Sequence, residues 1–423
     1  MRNGPNPRFT PIGGYLYPID GDGMLHRVRF RDGQAGYTNR FVRTPSLMAE
    51  EAAGRSLWPG LMRMDYRPGS DLVGPDLAGT MKDLPGINVV RHGGRMLALA
   101  EAANPFRMSA ELATLGRETF CGTIPIGITA HPKVDPATGE MVVFCYQFEA
   151  PFLTWSVIGP DGATVRPPTP IAGLDRPAMI HDMAITQRYV VIVVAPFYFD
   201  PAGAATGGSL SSWRPEDGTR IALIPRDGGA VRWTAVESFW LWHTANAHDG
   251  ADGQVVLDFV RWSAPGGLVP GAHPTGNLAR LLIDPAGRVR EETLVDRPME
   301  FPRVDDRSIA AGHRQVATTV KGGSRALPTG DADTLGWFDA DTDSFVIWDA
   351  GNLSVGEQCF VPVPGDPDPT PGWWLCVATD RTDLISRLLV IPAADPAAGP
   401  VATIHLPQRV PAGLHGAWLP TQE

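Results

Sequence analysis

Residues 189–199 read YVVIVVAPFYF, the longest aliphatic and aromatic run in the chain. A helix needs about 20 apolar residues to cross a bilayer, so 11 are too few. The run is rich in β-branched and aromatic residues and stops at Asp200, which is the mark of a buried strand. The same grammar repeats on both sides of it. Residues 141–148 (MVVFCYQF), 220–225 (RIALIP), 255–262 (VVLDFVRW), 279–284 (ARLLID), 344–349 (SFVIWD), 373–380 (WWLCVATD) and 386–392 (SRLLVIP) are short apolar or alternating runs, each ending near Gly, Pro or Asp. Between them stand 135–139 (DPATG), 159–162 (GPDG), 226–229 (RDGG) and 284–287 (DPAG), the residue types that tight hairpins require. Gly (47) and Pro (41) together make up about a fifth of the 423 residues, with no collagen period.

Helical signals are few. Residues 46–58 (SLMAEEAAGRSLW) read as one helix with Ser46 as its N-cap, and 105–115 as a second. No helix alternates with the strands, so a parallel α/β sheet is not expected. No linker divides the chain, which predicts one domain over residues 1–423. Many short antiparallel strands in one unit of this length point to a closed or radially repeated all-β architecture, and a propeller fits. No WD-type repeat is visible, so the residues alone do not give a blade count.

Lys+Arg number 36 and Asp+Glu 46, a net charge of −10. A chain without a basic excess is not expected to bind nucleic acid. Cys121, Cys145, Cys359 and Cys376 contain no CxxC pair, so neither a disulfide framework nor a zinc ribbon is expected. The opening MRNGPNPRFT lacks the apolar stretch of a secretory signal. A soluble, reduced, cytoplasmic protein is the expectation. No GxSxG elbow and no P-loop motif occur.

The ten histidines carry the chemistry. His131 (TAHPK), His181 (MIHDM), His243 (LWHTA) and His415 (GLHGA) each sit beside a strand-like run, 50, 62 and 172 residues apart. These separations exclude a local motif such as HExxH. They suit a site where remote strands converge, each giving one imidazole to a borderline metal such as iron, zinc or copper.

The words around these histidines resemble the carotenoid cleavage oxygenase family, which includes the retinal pigment epithelium isomerase and bacterial stilbene dioxygenases. The motifs run in family order: RNGPNP (2–7), DGDGMLHRVRF (20–30), NRFVRT (39–44), INVVRHGGRMLALAE (87–101), TAHPKVDPATGE (129–140), MIHDMAIT (179–186), WHTANA (242–247), EFPRVDDR (300–307), GEQCFVP (356–362) and LHGAWLP (414–420). The resemblance implies a seven-bladed propeller capped by loops and short helices. It places Fe(2+) on the axis, bound by His131, His181, His243 and His415, with His248 ranked below His243. It puts Glu101, Glu300 and Glu357 behind the imidazoles, where carboxylates accept Nδ1–H and balance charge. The fourth ring would lack a carboxylate. The implied reaction is attack of activated dioxygen on an electron-rich C=C bond, giving two carbonyl products with no organic cofactor. The partners are therefore O2 and a small apolar or aromatic alkene.

An apolar substrate tunnel is expected to draw on Phe148, Trp155, Phe197, Tyr198, Trp240 and Trp242. Lys133 is expected in a turn beside Asp135. Two departures from the family stand out. The chain begins at the opening motif itself, where family members have a preceding strand that helps close the propeller, so an open strand edge is expected. Ala100 stands before Glu101 where stilbene-cleaving relatives tend to carry a lysine for the substrate phenolate. That favours a carotenoid or apocarotenoid over lignostilbene or isoeugenol, with Tyr198 and Lys82 as substitute donors. A propeller that binds a ligand without turnover is the alternative from another class. Peripheral membrane contact would fall to apolar residues within 57–64 or 197–199, although scattered surface hydrophobics are commoner.

Overall fold

Strands form where the pattern places them. Val255–Trp262, Ser344–Asp349 and Ser386–Pro392 coincide with the quoted runs. The run at 189–199 divides at Pro196 into Tyr189–Val194 and Phe197–Phe199, since proline has no N–H to give a central ladder. The second part pairs with Ser211–Trp213 in a separate two-stranded ribbon. In the computed structural model, the described residues are 1–420 apart from 16, 18, 62, 64, 207, 270, 323–326, 328, 329, 367, 369 and 370.

The strands make an all-β, seven-bladed β-propeller. Six blades are four-stranded antiparallel sheets built in meander order, spanning residues 88–117, 133–170, 183–236, 244–295, 299–349 and 353–405. The first blade, residues 2–41, has three strands. Its strand Arg2–Pro5 is also bonded on its other side to the C-terminal segment. Asn3 N donates to His415 O (2.9 Å), Leu414 N to Asn3 O (3.1 Å), and Arg2 bridges to Gly416. The edge expected to lie open is therefore paired.

The first strand of each later blade faces the axis, and side chains stitch these strands into a ring. Asn88 donates to Ala130 O (2.9 Å), and Lys133 pairs with Asp182 (2.9 Å). Asp182 accepts from Thr244 N and Oγ1 (both 2.8 Å), and Arg303 pairs with Glu357 (3.0 Å). Asn3 donates to Asn88 O (2.7 Å), which joins the first blade to the second. Farther out, six blade junctions are filled by apolar clusters. Examples are Leu257, Phe259 and Leu281 against Val191 and Leu223, and Trp337 and Leu335 against Trp374 and Leu389. Such burial stabilises by about 25 cal/mol per Å2 of apolar surface removed from water.

Two helix expectations need correction. The first helix is Pro45–Ala53. Its N-cap is Thr44, whose Oγ1 accepts from Leu47 N (3.1 Å), and Pro45 takes the first helical position. Gly54 ends it at φ +67°. Ser46 is inside the helix, bonded to Thr44 Oγ1. The second expected helix is two strands, Phe106–Met108 and Thr114–Arg117. There Phe106 and Met108 are buried and Arg107 is exposed, a period of two rather than 3.6. The other described α-helices are Ser70–Val73 and Pro201–Ala205.

Candidate metal centre

His131 and His181 each stand two residues before the axial strand of their blade, and His243 one residue before. His415 comes from the C-terminal segment, held by Asn3 on one side and by its own N–H to Ile87 O (3.1 Å) on the other. The four rings meet. Centroids lie 4.5 Å apart for His131–His181, 4.6 Å for His131–His415, 4.9 Å for His243–His415, and 5.2 Å for both His131–His243 and His181–His243. The ligand nitrogens of His131, His181 and His243 lie within 4.8 Å of one another.

Behind three rings stand the three expected carboxylates. His181 Nδ1 donates to Glu101, His243 Nδ1 to Glu300 (2.6 Å) and His415 Nδ1 to Glu357 (2.8 Å). An ionised carboxylate only accepts, so each of these Nδ1 atoms carries the proton and each Nε2 presents a lone pair. Among the described residues no carboxylate is bonded to His131. Two of the carboxylates are aimed by β-bulges. The ladder slips between Glu300 and Arg303, with Phe301 at φ +53°, and again between Val355 and Gln358 across Gly356–Glu357. Bulges of this kind re-aim side chains at a site. Glu101 follows the strand Arg95–Leu99, just before Ala102 at φ +49°.

Burial, then the neighbouring imidazoles, push His131 well below its ordinary value. Burial takes His415 down to about 4 even with Glu357 beside it. His243 is also pressed down by burial, but Glu300 outweighs this and raises it, so a metal there competes with a proton. Burial favours neutral Glu357, yet Arg303 and His415 hold its carboxyl well below the usual range.

Aromatic residues approach the centre in a file. Phe148, exposed, meets Phe199 (5.2 Å), which meets Phe197 (6.5 Å). Phe197 packs on Trp240 (5.6 Å), Trp240 on Trp242 (5.0 Å), and Trp242 edge-on to His181 (5.0 Å). Tyr198 lies under the Arg176 guanidinium (4.8 Å). Trp155 is not part of this file. It alternates into the core between the third and fourth blades, beneath Arg166 (4.4 Å). Sequence reasoning missed Phe301, which stacks on His243 (5.1 Å). It also missed Tyr146 and Trp262, which donate to Glu101 and Glu300. The Phe-Pro pair after Glu300 was the available signal for a bulge.

Other expectations are corrected by geometry. Lys133 lies in the strand Lys133–Val134 and pairs with Asp182, while Asp135 pairs with Arg226 (2.6 Å). Lys82 is taken up by Asp22 and Glu50, each at 2.7 Å, so it is no substitute phenolate donor. His248 stands apart, 6.2 Å from His313. Of the apolar residues expected to meet a bilayer, Leu57, Trp58 and Phe197 are buried, while Leu61, Tyr198 and Phe199 are half-buried. Residues 62 and 64 of that expected patch lie outside the described residues. Among the described residues no helix is long and apolar enough to cross a membrane.

The donor set fits a metal ion. His243 Nε2 is buried and has no hydrogen-bond partner, a costly state for a polar atom unless something binds it. His131 Nε2 and His181 Nε2 face each other at 3.1 Å, and the latter is bare because its ring proton is on Nδ1. Imidazole suits iron, zinc and copper.

A family model described as retinal pigment epithelial membrane protein matches residues 1–420. A carotenoid cleavage oxygenase of Mycobacterium tuberculosis is 32% identical over 477 residues, covering 100% of this chain and 91% of that protein. A crystal structure of Pseudomonas brassicacearum lignostilbene dioxygenase superposes with a TM-score of 0.88 at 30% identity, covering 99% of this chain and 91% of the other. A cobalt-substituted apocarotenoid oxygenase of Synechocystis gives 0.84 at 28%, covering 99% and 92%.

Proposed function

This chain belongs to the carotenoid cleavage oxygenase family, that of the retinal pigment epithelial membrane protein, and from that premise we propose that it is a non-haem iron(II) dioxygenase. It is an oxidoreductase that cleaves the C=C bond of a conjugated alkene. His131, His181, His243 and His415 would hold Fe(2+), and Glu101, Glu300 and Glu357 would fix the rings. The observation that carries this is the convergence of four buried or nearly buried imidazoles, three of them with Nδ1–H committed to a carboxylate.

When bound, the ion supplies a place to activate dioxygen toward an electron-rich double bond, the alkene furnishing the electrons. The protein does the rest. Glu101, Glu300 and Glu357 keep each Nδ1 protonated, so every paired ring offers a neutral Nε2. Trp242 and Phe301 wall the rings with apolar surface and exclude water. The file from Phe148 to Trp242 offers an extended apolar alkene a path of π faces. A cap of loops and short helices above the axis, and a cytoplasmic location, complete the proposal.

The substrate class proposed is a carotenoid or apocarotenoid. Ala100 offers no charge for a phenolate, and Lys82 is committed to a buried pair. The likeness to lignostilbene dioxygenase favours a second reading, cleavage of a stilbene or propenyl phenol such as isoeugenol. Iron-loaded protein incubated in air with an apocarotenal, lignostilbene and isoeugenol separates them, with products identified by mass. The expected result is loss of the polyene absorbance and two carbonyl fragments, in air but not under argon. A shift to vanillin-type aldehydes selects the second reading, and no oxygen-dependent cleavage of any of the three defeats both.

A further inference from the structure

The three carboxylates behind the imidazoles are held by unlike partners. Glu101 accepts the phenol hydroxyl of Tyr146. Glu300 accepts the indole N–H of Trp262 (2.9 Å) and the backbone N–H of Phe301. All of these donors are neutral. Glu357 differs: its Oε2 lies 3.0 Å from Arg303 Nη1 and 2.8 Å from Gly416 N. Arginine stays charged in proteins, so this partner contributes a permanent positive charge inside the cage.

The remaining charges nearby do not alter the balance. Lys133 and Asp182 neutralise each other at 2.9 Å. Arg2, buried and bonded to Gly413 O, adds a positive charge that Glu357 feels through space, and Asp306, 3.1 Å from Arg303, adds a negative charge that offsets it. Around four neutral imidazoles, three bonded carboxylates and one bonded guanidinium leave two negative charges. In a buried, low-dielectric site that count decides which ion is matched, because uncompensated charge there is expensive.

We infer that Arg303 sets the charge of the cage to match a divalent ion and so favours iron(II) over iron(III). This rests on the metal-centre reading above. Arg303 is a positioning residue: it reaches neither substrate nor iron, and it acts through Glu357 and the His415 ring.

The test is the midpoint potential of the Fe(III)/Fe(II) couple in the iron-loaded protein. It is measured anaerobically with mediators, dithionite giving and ferricyanide accepting one electron per iron, and followed by the electron paramagnetic resonance of high-spin iron(III). Arg303→Met is expected to favour iron(III) by about tenfold or more, a fall of about 59 mV per tenfold. Arg303→Lys restores the charge and most of the potential. Glu357→Gln removes a negative charge and moves the potential up. The double variant Arg303→Met/Glu357→Gln returns near the parent value, as a shared charge pair requires. An unchanged potential in Arg303→Met, or a shift in the same direction as Glu357→Gln, means that Arg303 merely props the His415 segment, and the inference falls. If Arg303→Met does not fold, a fall of potential in Glu357→Gln alone also overturns it. A parent chain that takes up no iron overturns this inference and the proposed function together. Iron uptake with the expected potentials but no alkene cleavage overturns the proposed function alone.

Discussion

Six junctions between blades are apolar, whereas the one where the seventh blade meets the first is built from buried polar groups. At the apolar junctions Leu, Val, Ile, Phe and Trp side chains from neighbouring sheets interdigitate. At the seventh, Arg2, Asn3 and Glu357 are buried beside Cys359 and His415. The Arg2 guanidinium lies over Gly356 and Gly413, where a Cβ would collide with it. The two kinds of junction do different work. Apolar contact is non-directional and supplies stability. Hydrogen bonds and ion pairs have fixed geometry, and this junction uses that geometry to aim an imidazole from a segment outside any strand. His131, His181 and His243 stand one or two residues before strands that the apolar core already positions, while His415 depends on the polar contacts around it.

The comparison is sharpest at the ligands. His243→Ala and His181→Ala are expected to lower cobalt(II) affinity by at least about 100-fold, more than outer-partner changes do, with thermal stability nearly unchanged. Calorimetric titration of metal-free protein reads the first and a melting curve the second. Loss of folding with loss of metal would make the axial rings structural and blur the distinction.

Next come one substitution from each kind of junction. Leu257→Ala, in the apolar cluster of the fourth and fifth blades, should cost about 2–5 kcal/mol of stability and leave cobalt affinity within about twofold. Asn3→Ala strips the donors from Pro85 O and Asn88 O. It should cost less, about 2 kcal/mol, yet weaken cobalt binding by about 10-fold or more. Equal effects on metal binding from the two variants would break the comparison.

A smaller effect is expected with pH in metal-free protein. Burial, with Arg2 a lesser cause, takes His26, whose strand pairs with Arg2–Pro5, down to about 4. The unfolded chain binds that proton near pH 6.5 and the folded chain does not, so stability is full above 6.5 and falls as pH drops toward 4. The slope from His26 is at most about 1.4 kcal/mol per pH unit. His26→Gln should flatten the profile of urea-unfolding free energy over this window, and an unchanged slope would remove His26 from the account.

The smallest expected effect concerns thiols. Cys121 is exposed, whereas burial pushes Cys145 up to about 12 and both Cys359 and Cys376 up to about 11. A disulfide reagent should modify one thiol rapidly in the native protein. In Asn3→Ala, Cys359, which lies against Met1, should react several-fold faster and Cys145 at its old rate. Uniform acceleration would mean that the whole propeller, rather than the polar junction, had loosened.

Much of this was legible in the chain because it is locally encoded. Alternating and continuous apolar runs specify strands, and turn residues specify where they end, which is why Val255–Trp262 and Ser386–Pro392 coincide with their quoted runs. The four histidines and three glutamates stand in short motifs whose neighbours mark them out. The misreadings share one cause. Residues 105–115 carry an apolar pattern too short to separate a helix from two strands. Lys133 was judged against Asp135, two residues away, whereas its partner Asp182 is in the next blade. Trp155 and Phe197 are both aromatic residues in strands, and nothing local says which one faces a blade junction and which joins the file toward His181.

Sequence alone determined the all-β character and the strand positions, since these depend on side-chain type and on spacings of a few residues, and the residues proposed to hold a metal came from the resemblance to a known family. Tertiary structure decided which donors stand behind each carboxylate, that Phe301 and Trp242 flank the rings, and that Arg2, Asn3 and Arg303 together seat His415. Those facts depend on closing a ring whose first and last segments are more than 400 residues apart, and contacts made only by closure leave no periodic trace along the chain.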